Sequence, residues 1–124
     1  MESPTIRVLV VDSHPVIRGV ARLACEGSVD LELVAEAADA DGALNAVTAL
    51  SPDVVILDLD LPDDGGRNTM ALLKEARYPG AVLALSDRSD GAAVLEALKL
   101  GVQGYLHRKV SNCLLFSHSL VLSF

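Results

Sequence analysis

Short apolar runs alternate with segments of helical periodicity along almost the whole chain. Five runs rich in Val, Ile, Leu and Ala predict strands at residues 6–11, 31–37, 54–57, 81–85 and 103–107. Each run is followed by a segment that predicts a helix, the last one starting near Ser111 or Asn112. Strand–helix alternation with short connections predicts a single α/β domain, a doubly wound parallel sheet with helices on both faces.

Capping and turn residues delimit the predicted helices. Ser13 suits the N-cap of the first helix and Pro15 its first turn. The run Asp63-Asp64-Gly65-Gly66 predicts a loop before the third helix, and Gly101 is the predicted C-cap of the fourth. The apolar stripes of the first and fourth helices, expected to face the core, are Val16, Ile17, Val20, Leu23, Ala24, Ala92, Ala93, Val94, Leu95, Ala97 and Leu98.

The third apolar run is the central one. Its four residues at 54–57 have no polar break, which predicts a strand buried on both faces. The run ends at Asp58, and Pro62 cannot continue a central strand. A carboxylate therefore lies at the carboxyl edge of the sheet, where ligands bind in open parallel α/β folds. From this stretch alone, Asp58 is equally well read as a polar residue that merely ends a strand.

Composition excludes several classes of function. Aromatic residues make up only 3% of the 124 residues and the net charge is −7, so base stacking and a basic phosphate-binding surface are not expected of this chain. Cys25 and Cys113 are far apart, without zinc or disulfide spacing, which predicts two buried reduced thiols in a cytoplasmic protein. Neither a signal peptide nor a membrane span is predicted.

Polar side chains follow three of the predicted strands. Asp12 follows the first strand with Ser13, Asp58 follows the third, and Ser86 follows the fourth with Asp87. Because the carboxyl ends of parallel strands converge, these groups are expected to lie together. Carboxylates, a hydroxyl and the cations Arg108-Lys109 after the fifth strand suit Mg²⁺ and a phosphoryl group, and an Asp can itself be the nucleophile.

Four segments, in this order and spacing, identify a family. The segments are VLVVDSHPVIRG, SPDVVILDLDLP, VLALSD and GVQGYLHRKVS. From about residue 6 to about 112 the chain resembles the receiver domain of bacterial two-component response regulators, and the HP and GYLH segments resemble the NarL/FixJ-type subgroup. The resemblance implies a flavodoxin-like (βα)5 fold with strand order 2-1-3-4-5.

The resemblance also implies a role for individual residues. Asp58 matches the phosphoacceptor. Asp12 matches one of two acids that hold Mg²⁺ in the family, and the backbone carbonyl of Asp60 matches a further ligand. Ser86 matches the switch hydroxyl that binds the phosphoryl group, and Tyr105 matches the aromatic side chain that turns inward with it, although an ordinary half-buried tyrosine is the alternative.

The chain departs from the family at functional positions. Ser13 stands where the family has its second acid, which makes it a doubtful metal ligand and predicts weak Mg²⁺ binding. The side chain of Asp60 is a candidate to restore the missing charge. Arg108 stands where the family has its lysine, with Lys109 next to it, and Asp87 adds an acid beside Ser86. His14 is expected to pack or cap at the helix start, with a metal or catalytic role as the alternative.

Three functional hypotheses follow. In the first, a sensor histidine kinase phosphorylates Asp58, and the surface of the fourth helix, fifth strand and last helix switches to control transcription through a C-terminal DNA-binding domain that this chain lacks. In the second, an atypical receiver acts without phosphorylation, through protein or small-ligand contacts. In the third, the run VVILDLDL belongs to a phosphatase of the haloacid-dehalogenase type.

The last twelve residues carry no Asp, Glu, Lys or Arg. A helix at the surface of a domain normally has a charged face. The apolar tail at 113–124 is therefore either an altered or partly ordered end of the receiver domain at 1–124, or a surface that buries against a partner, for example in a homodimer.

Overall fold

The computed structural model describes residues 5–88 and 90–107. Within them five strands alternate with four helices. The elements are β1 Ile6–Val11, α1 Pro15–Glu26, β2 Leu31–Ala37, α2 Ala40–Leu50, β3 Val54–Asp58, α3 Gly65–Glu75, β4 Ala81–Ser86, α4 Gly91–Leu100 and β5 Gly104–His107. Arg108, Lys109, the predicted last helix and the tail at 113–124 lie outside the described residues.

All pairings in the sheet are parallel, and the strand order β2-β1-β3-β4-β5 confirms the predicted fold. β3 lies in the middle. Val11 pairs with Leu57 on one side of it, and Asp58 pairs with Leu85 on the other. The last residues of β1, β3 and β4 therefore end at the same edge of the sheet.

Alternate residues of β3 belong to two different hydrophobic cores. Val55 and Leu57 pack in the core on the side of α2 and α3, whereas Val54 and Ile56 pack on the side of α1. All four side chains are at most 1% exposed. This confirms the prediction of a strand buried on both faces, and it explains why the run has no polar alternation.

The predicted apolar stripes of α1 and α4 are partly wrong. Val16 is 75% exposed and Leu23 59% exposed, and Leu95 and Leu98 are more than half exposed. The residues that these helices bury are Ala21, Ala24, Cys25, Ala93 and Ala97. Small side chains let a helix approach the sheet closely, so the face with most alanine, not the one with the largest side chains, is buried.

The predicted starts of α1 and α3 also differ from the structure. The N-cap of α1 is His14 rather than Ser13, with Pro15 in the first helical position as predicted. α3 already begins at Gly65, so Gly65 and Gly66 are helical rather than part of a loop. A Cβ atom at Gly66 would lie 2.8 Å from the Cα and the carbonyl oxygen of Leu59. The glycine thus lets α3 pack directly on the backbone that follows Asp58.

Cys25 lies on the buried face of α1, in the core, with a free thiol. Burial, and to a lesser degree the charge of Glu26, raises the pKa of Cys25 to about 11. The thiol therefore stays protonated near neutral pH and is a poor nucleophile. This agrees with the predicted buried reduced thiol; Cys113 lies outside the described residues. Among the helices of the described ranges, none has the length and apolar character needed to cross a bilayer.

Candidate functional site

Three polar side chains that follow strands meet at the carboxyl edge of the sheet. Asp12 comes directly after β1, and its backbone N–H donates to the carbonyl of Ala37. Asp58 is the last residue of β3 and Ser86 the last of β4. The side chains of Asp12 and Asp58 are fully buried and that of Ser86 is 3% exposed. The predicted convergence is thus present, and buried carboxylates at such a place are costly without a positive partner.

His14 contacts both acids. Its backbone N–H donates to Oδ1 of Asp12 at 2.8 Å, and its ring Nδ1 lies 2.7 Å from the same oxygen. The same Nδ1 lies 3.9 Å from Oδ2 of Asp58. The ring makes no cap hydrogen bond to α1. His14 is thus the N-cap residue of α1, in line with the expected capping position, but its side chain contacts the two acids and does not cap the helix. Its position two residues after an acid at a strand end is the sequence signal for this contact.

The conformation of the Asp58 side chain is set by the backbone that follows it. The N–H of Asp60 donates to Oδ1 of Asp58 at 2.8 Å. The N–H of Leu59 donates to the carbonyl of Leu85 at 2.9 Å, which ties the start of this loop to β4. This short turn, tied to β4, therefore holds the carboxylate at the carboxyl edge of the sheet.

The carboxylate of Asp60 is directed at the end of β4. The hydroxyl of Ser86 donates to Oδ2 of Asp60 at 3.1 Å and lies 3.2 Å from Oδ1, and the N–H of Asp87 donates to Oδ2 at 2.8 Å. Ser86 Oγ also accepts from the N–H of Arg88 at 3.1 Å. The three described residues whose ligand atoms cluster within 4.8 Å of one another are Asp12, His14 and Asp58. The Asp60 side chain therefore binds the end of β4 and is not part of this cluster, and its suggested compensation for the missing acid stays a prediction.

The segment after β4 connects this site to β5. The hydroxyl of half-buried Tyr105 donates to the carbonyl of Arg88. Nε2 of His107 lies 2.8 Å from the carbonyl of Asp87. A cavity of about 240 Å³ is lined by Asp60, Ser86, Arg88 and Tyr105 among others. The proposed switch hydroxyl and the proposed switch aromatic residue therefore border the same space.

The donor atoms at the acids fit a divalent cation. Two buried carboxylates offer hard oxygen ligands, and Mg²⁺ is commonly held by one or two carboxylates together with waters and a phosphate. Half-buried Ser13, which stands between Asp12 and His14 in the sequence, offers only a neutral hydroxyl. This donor set fits Mg²⁺ with few protein ligands, and the weak binding expected from the sequence stays a prediction.

Comparison with known protein families and structures extends these observations. The family model described as the response regulator receiver domain matches residues 8–118. The probable transcriptional regulatory protein NarL of Mycobacterium tuberculosis is 39% identical over 103 residues, 82% of this chain and 47% of that protein. The nitrate/nitrite response regulator protein NarL of Escherichia coli is 30% identical over 99 residues, 80% of this chain and 46% of that protein.

A solved structure resembles the fold closely. The signal receiver domain of the putative response regulator NarL from Mycobacterium tuberculosis superposes with a TM-score of 0.84 at 33% sequence identity, covering 96% of this chain and 95% of that chain. The chain spans about half the length of the curated relatives that it matches.

Proposed function

The chain belongs to the response regulator receiver domain family, and from this membership we propose that it accepts a phosphoryl group on Asp58 from a histidine kinase. Receiver domains of two-component regulators are phosphorylated by such kinases. The observation that carries the proposal is the meeting of buried Asp12, Asp58 and Ser86 at one edge of the sheet. The chain acts here as a phosphoryl acceptor, not as an enzyme with turnover on phosphate esters.

The reaction is a transfer between two nucleophiles. A carboxylate oxygen of Asp58 attacks the phosphorus of a phosphohistidine or a small phosphodonor. The new P–O bond forms as the P–N bond of the phosphohistidine breaks, and its electron pair returns to the leaving imidazole, giving an aspartyl phosphate. A turn hydrogen bond from the Asp60 N–H holds the attacking carboxylate in place throughout.

Two groups of residues assist this step in our proposal. Asp12 and Asp58, with the backbone carbonyl of Asp60, would hold Mg²⁺, which when bound offsets the repulsion between the carboxylate and the phosphate. Ser86 would donate its hydroxyl to a phosphoryl oxygen. Arg108 and Lys109 directly follow β5, and we propose that one of these cations neutralises the remaining charge.

The switch follows from the same contacts. Phosphorylation would draw the hydroxyl of Ser86 away from Asp60 and so alter the segment whose Arg88 carbonyl binds Tyr105. We propose that α4, β5 and the segment after them respond as a two-state surface. In a longer cytoplasmic protein this surface would form a homodimer or release a DNA-binding output domain, while the receiver at 1–124 itself binds no DNA. The apolar tail at 113–124 is a second candidate dimer surface.

Two observations favour the phosphorylation-independent alternative. The carboxylate of Asp60 already accepts hydrogen bonds from the hydroxyl of Ser86 and the N–H of Asp87. In addition, Ser13 supplies no second acid for a metal. A receiver of this kind would signal through contacts of the same α4–β5 surface without a covalent change. The phosphatase hypothesis conflicts with membership of the receiver family.

The proposed function is tested by intact-mass analysis. Incubation with a small phosphodonor and Mg²⁺ is expected to add one phosphoryl group, which peptide mapping locates at Asp58. Hydroxylamine should remove it, because acyl phosphates are cleaved by this nucleophile. A phosphoryl group on a serine, or no addition either at high Mg²⁺ or with a panel of phosphorylated histidine kinases, would overturn the proposal in favour of the phosphorylation-independent receiver.

A second prediction concerns Asp60. Asp60→Ala removes the carboxylate that competes with the phosphoryl group for Ser86 and Asp87, so the initial rate of phosphorylation is expected to rise. Loss of one such charged hydrogen bond, about 1.4 kcal/mol, corresponds to about tenfold. Asp60→Asn keeps an acceptor without the charge and should have an intermediate effect.

The measurement is the phosphorylated fraction against time at a fixed donor concentration. Glu75→Ala serves as the control, because it removes one exposed negative charge at the far end of α3. A rate for Asp60→Ala at or below that of the wild type would show that Asp60 does not restrain the hydroxyl.

A further inference from the structure

We propose that His14 Nδ1 is a metal ligand and that the site formed with Asp12 and Asp58 prefers imidazole-binding divalent ions over Mg²⁺. This inference refines the metal role within the proposed function. It favours the metal role of His14 over capping or packing, which is the usual explanation for a histidine at a helix start. The ions that we expect this site to prefer are Zn²⁺ and Co²⁺.

Three potential donor atoms lie close together at the site. Nδ1 of His14 lies 2.7 Å from Oδ1 of Asp12 and 3.9 Å from Oδ2 of Asp58, and ligand atoms of all three lie within 4.8 Å of one another. Ligands that bind a common zinc ion at about 2.0–2.2 Å are themselves about 3–4 Å apart. A cation can therefore bind between these atoms after small shifts of the side chains.

Backbone contacts place the imidazole of His14 at the site, while its ring does not cap α1. The N–H of His14 donates to Oδ1 of Asp12 and Pro15 begins α1 directly after it, so the ring is fixed beside the carboxylate. The ring itself makes no cap hydrogen bond. Its side chain is 56% exposed, whereas those of Asp12 and Asp58 are fully buried. An ion would thus enter past the imidazole and bind the acids beneath it.

The donor set determines the preference among ions. Mg²⁺ takes oxygen ligands and keeps several waters, so an imidazole adds little to its binding. Zn²⁺ and Co²⁺ bind imidazole well and follow Mn²⁺ in the order of increasing affinity at mixed nitrogen and oxygen sites. Ser13 offers only a neutral hydroxyl. The nitrogen of His14 is therefore the third donor of the site, beside the carboxylates of Asp12 and Asp58.

Three variants test the role of the imidazole. His14→Asn places an amide N–H near the position of Nδ1, which preserves the contact to Asp12, and asparagine is a favoured N-cap, so α1 is retained. His107→Gln is the matched control, because an amide at that position can replace the contact of Nε2 with the carbonyl of Asp87. Asp58→Asn tests whether the ion is bound at the acids at all.

The experiment is metal binding to chelator-treated protein without any phosphodonor. Co²⁺ is followed by its visible absorption and by paramagnetic shifts of the histidine ring protons, Zn²⁺ by competition with Co²⁺, and Mg²⁺ by calorimetry. We expect His14→Asn to weaken Co²⁺ and Zn²⁺ by roughly tenfold or more, a change that even an outer partner of a ligand can cause. Mg²⁺ affinity should stay within about twofold, since Mg²⁺ depends on oxygen donors, and His107→Gln should match the wild type.

The opposite results are equally clear. Equal losses for Co²⁺ and Mg²⁺ in His14→Asn, no loss at all, or Co²⁺ binding that survives Asp58→Asn would each overturn the inference. Because no phosphoryl group is involved, these results are independent of whether Asp58 is phosphorylated. A protein that accepts a phosphoryl group but binds Co²⁺ without His14 would retain the proposed function and lose this inference alone.

Discussion

Asp58→Asn is expected to abolish phosphoryl acceptance and, in metal-free protein, to increase the free energy of unfolding. The amide has no anionic oxygen to attack phosphorus. Asp12 and Asp58 are both fully buried, and their ligand atoms lie within 4.8 Å. Two unit charges about 4 Å apart repel by about 4 kcal/mol at an effective dielectric constant of about 20. Nearby donors such as His14 offset part of this, so we expect a net gain of about 1–2 kcal/mol.

Two measurements check the two parts of this prediction. Intact mass after incubation with phosphodonor reports the acceptor, and urea unfolding in the presence of a chelator reports the stability. Asp12→Asn is the matched variant, since it removes one charge from the same buried pair but leaves the acceptor in place. It should gain similar stability and be phosphorylated more slowly than the wild type.

The same variants separate function from folding. A phosphoryl group on the Asp58→Asn protein would show that another residue is the acceptor. If Asp58→Asn were less stable than the wild type, the buried acids would be stabilised by their surroundings beyond their mutual repulsion. Addition of Mg²⁺ should stabilise the wild type and have little effect on the variant, because an ion stabilises only the state that binds it.

Ile56→Ala is expected to produce the largest loss of stability, about 3–4 kcal/mol. Ile56 is fully buried in β3 on the side of α1, and it pairs with Val10 on β1 and Leu83 on β4. Strands on both sides and a helix above limit how far the surroundings can collapse into the space of the lost atoms. Against a total stability of about 5–15 kcal/mol, such a loss leaves the fold marginal.

Urea unfolding of the two proteins at one temperature measures this loss. Leu98→Ala is the control, because Leu98 lies in α4 with 51% of its surface exposed. Because half of this side chain lies in solvent, its truncation leaves little empty space in the core. The free energy of unfolding should therefore fall by less than about 1 kcal/mol. Equal losses in the two variants would contradict the role of Ile56 as a tightly packed core residue.

Much of the fold was predictable because its determinants are local. Strand and helix alternation, the uninterrupted apolar run at 54–57 and the capping residues act over a few positions. In α2, for example, Asp39 accepts from the N–H of Gly42 three residues later. The parallel sheet then follows from the short connections. The buried faces of α1 and α4 were harder to predict, since Val16 and Leu98 satisfy helical periodicity while smaller residues face the sheet.

The sequence by itself determined which acids and hydroxyls stand at the strand ends, because a strand that ends in a polar residue brings it to the edge of the sheet. Asp12, Asp58 and Ser86 were therefore identifiable from the order of residues alone. Only the tertiary structure decided how they are engaged. Asp60 binds Ser86, 26 positions away along the chain, and His14 after β1 lies 3.9 Å from Asp58 at the end of the neighbouring strand β3. Such contacts depend on loop conformations and strand register, which no local pattern specifies.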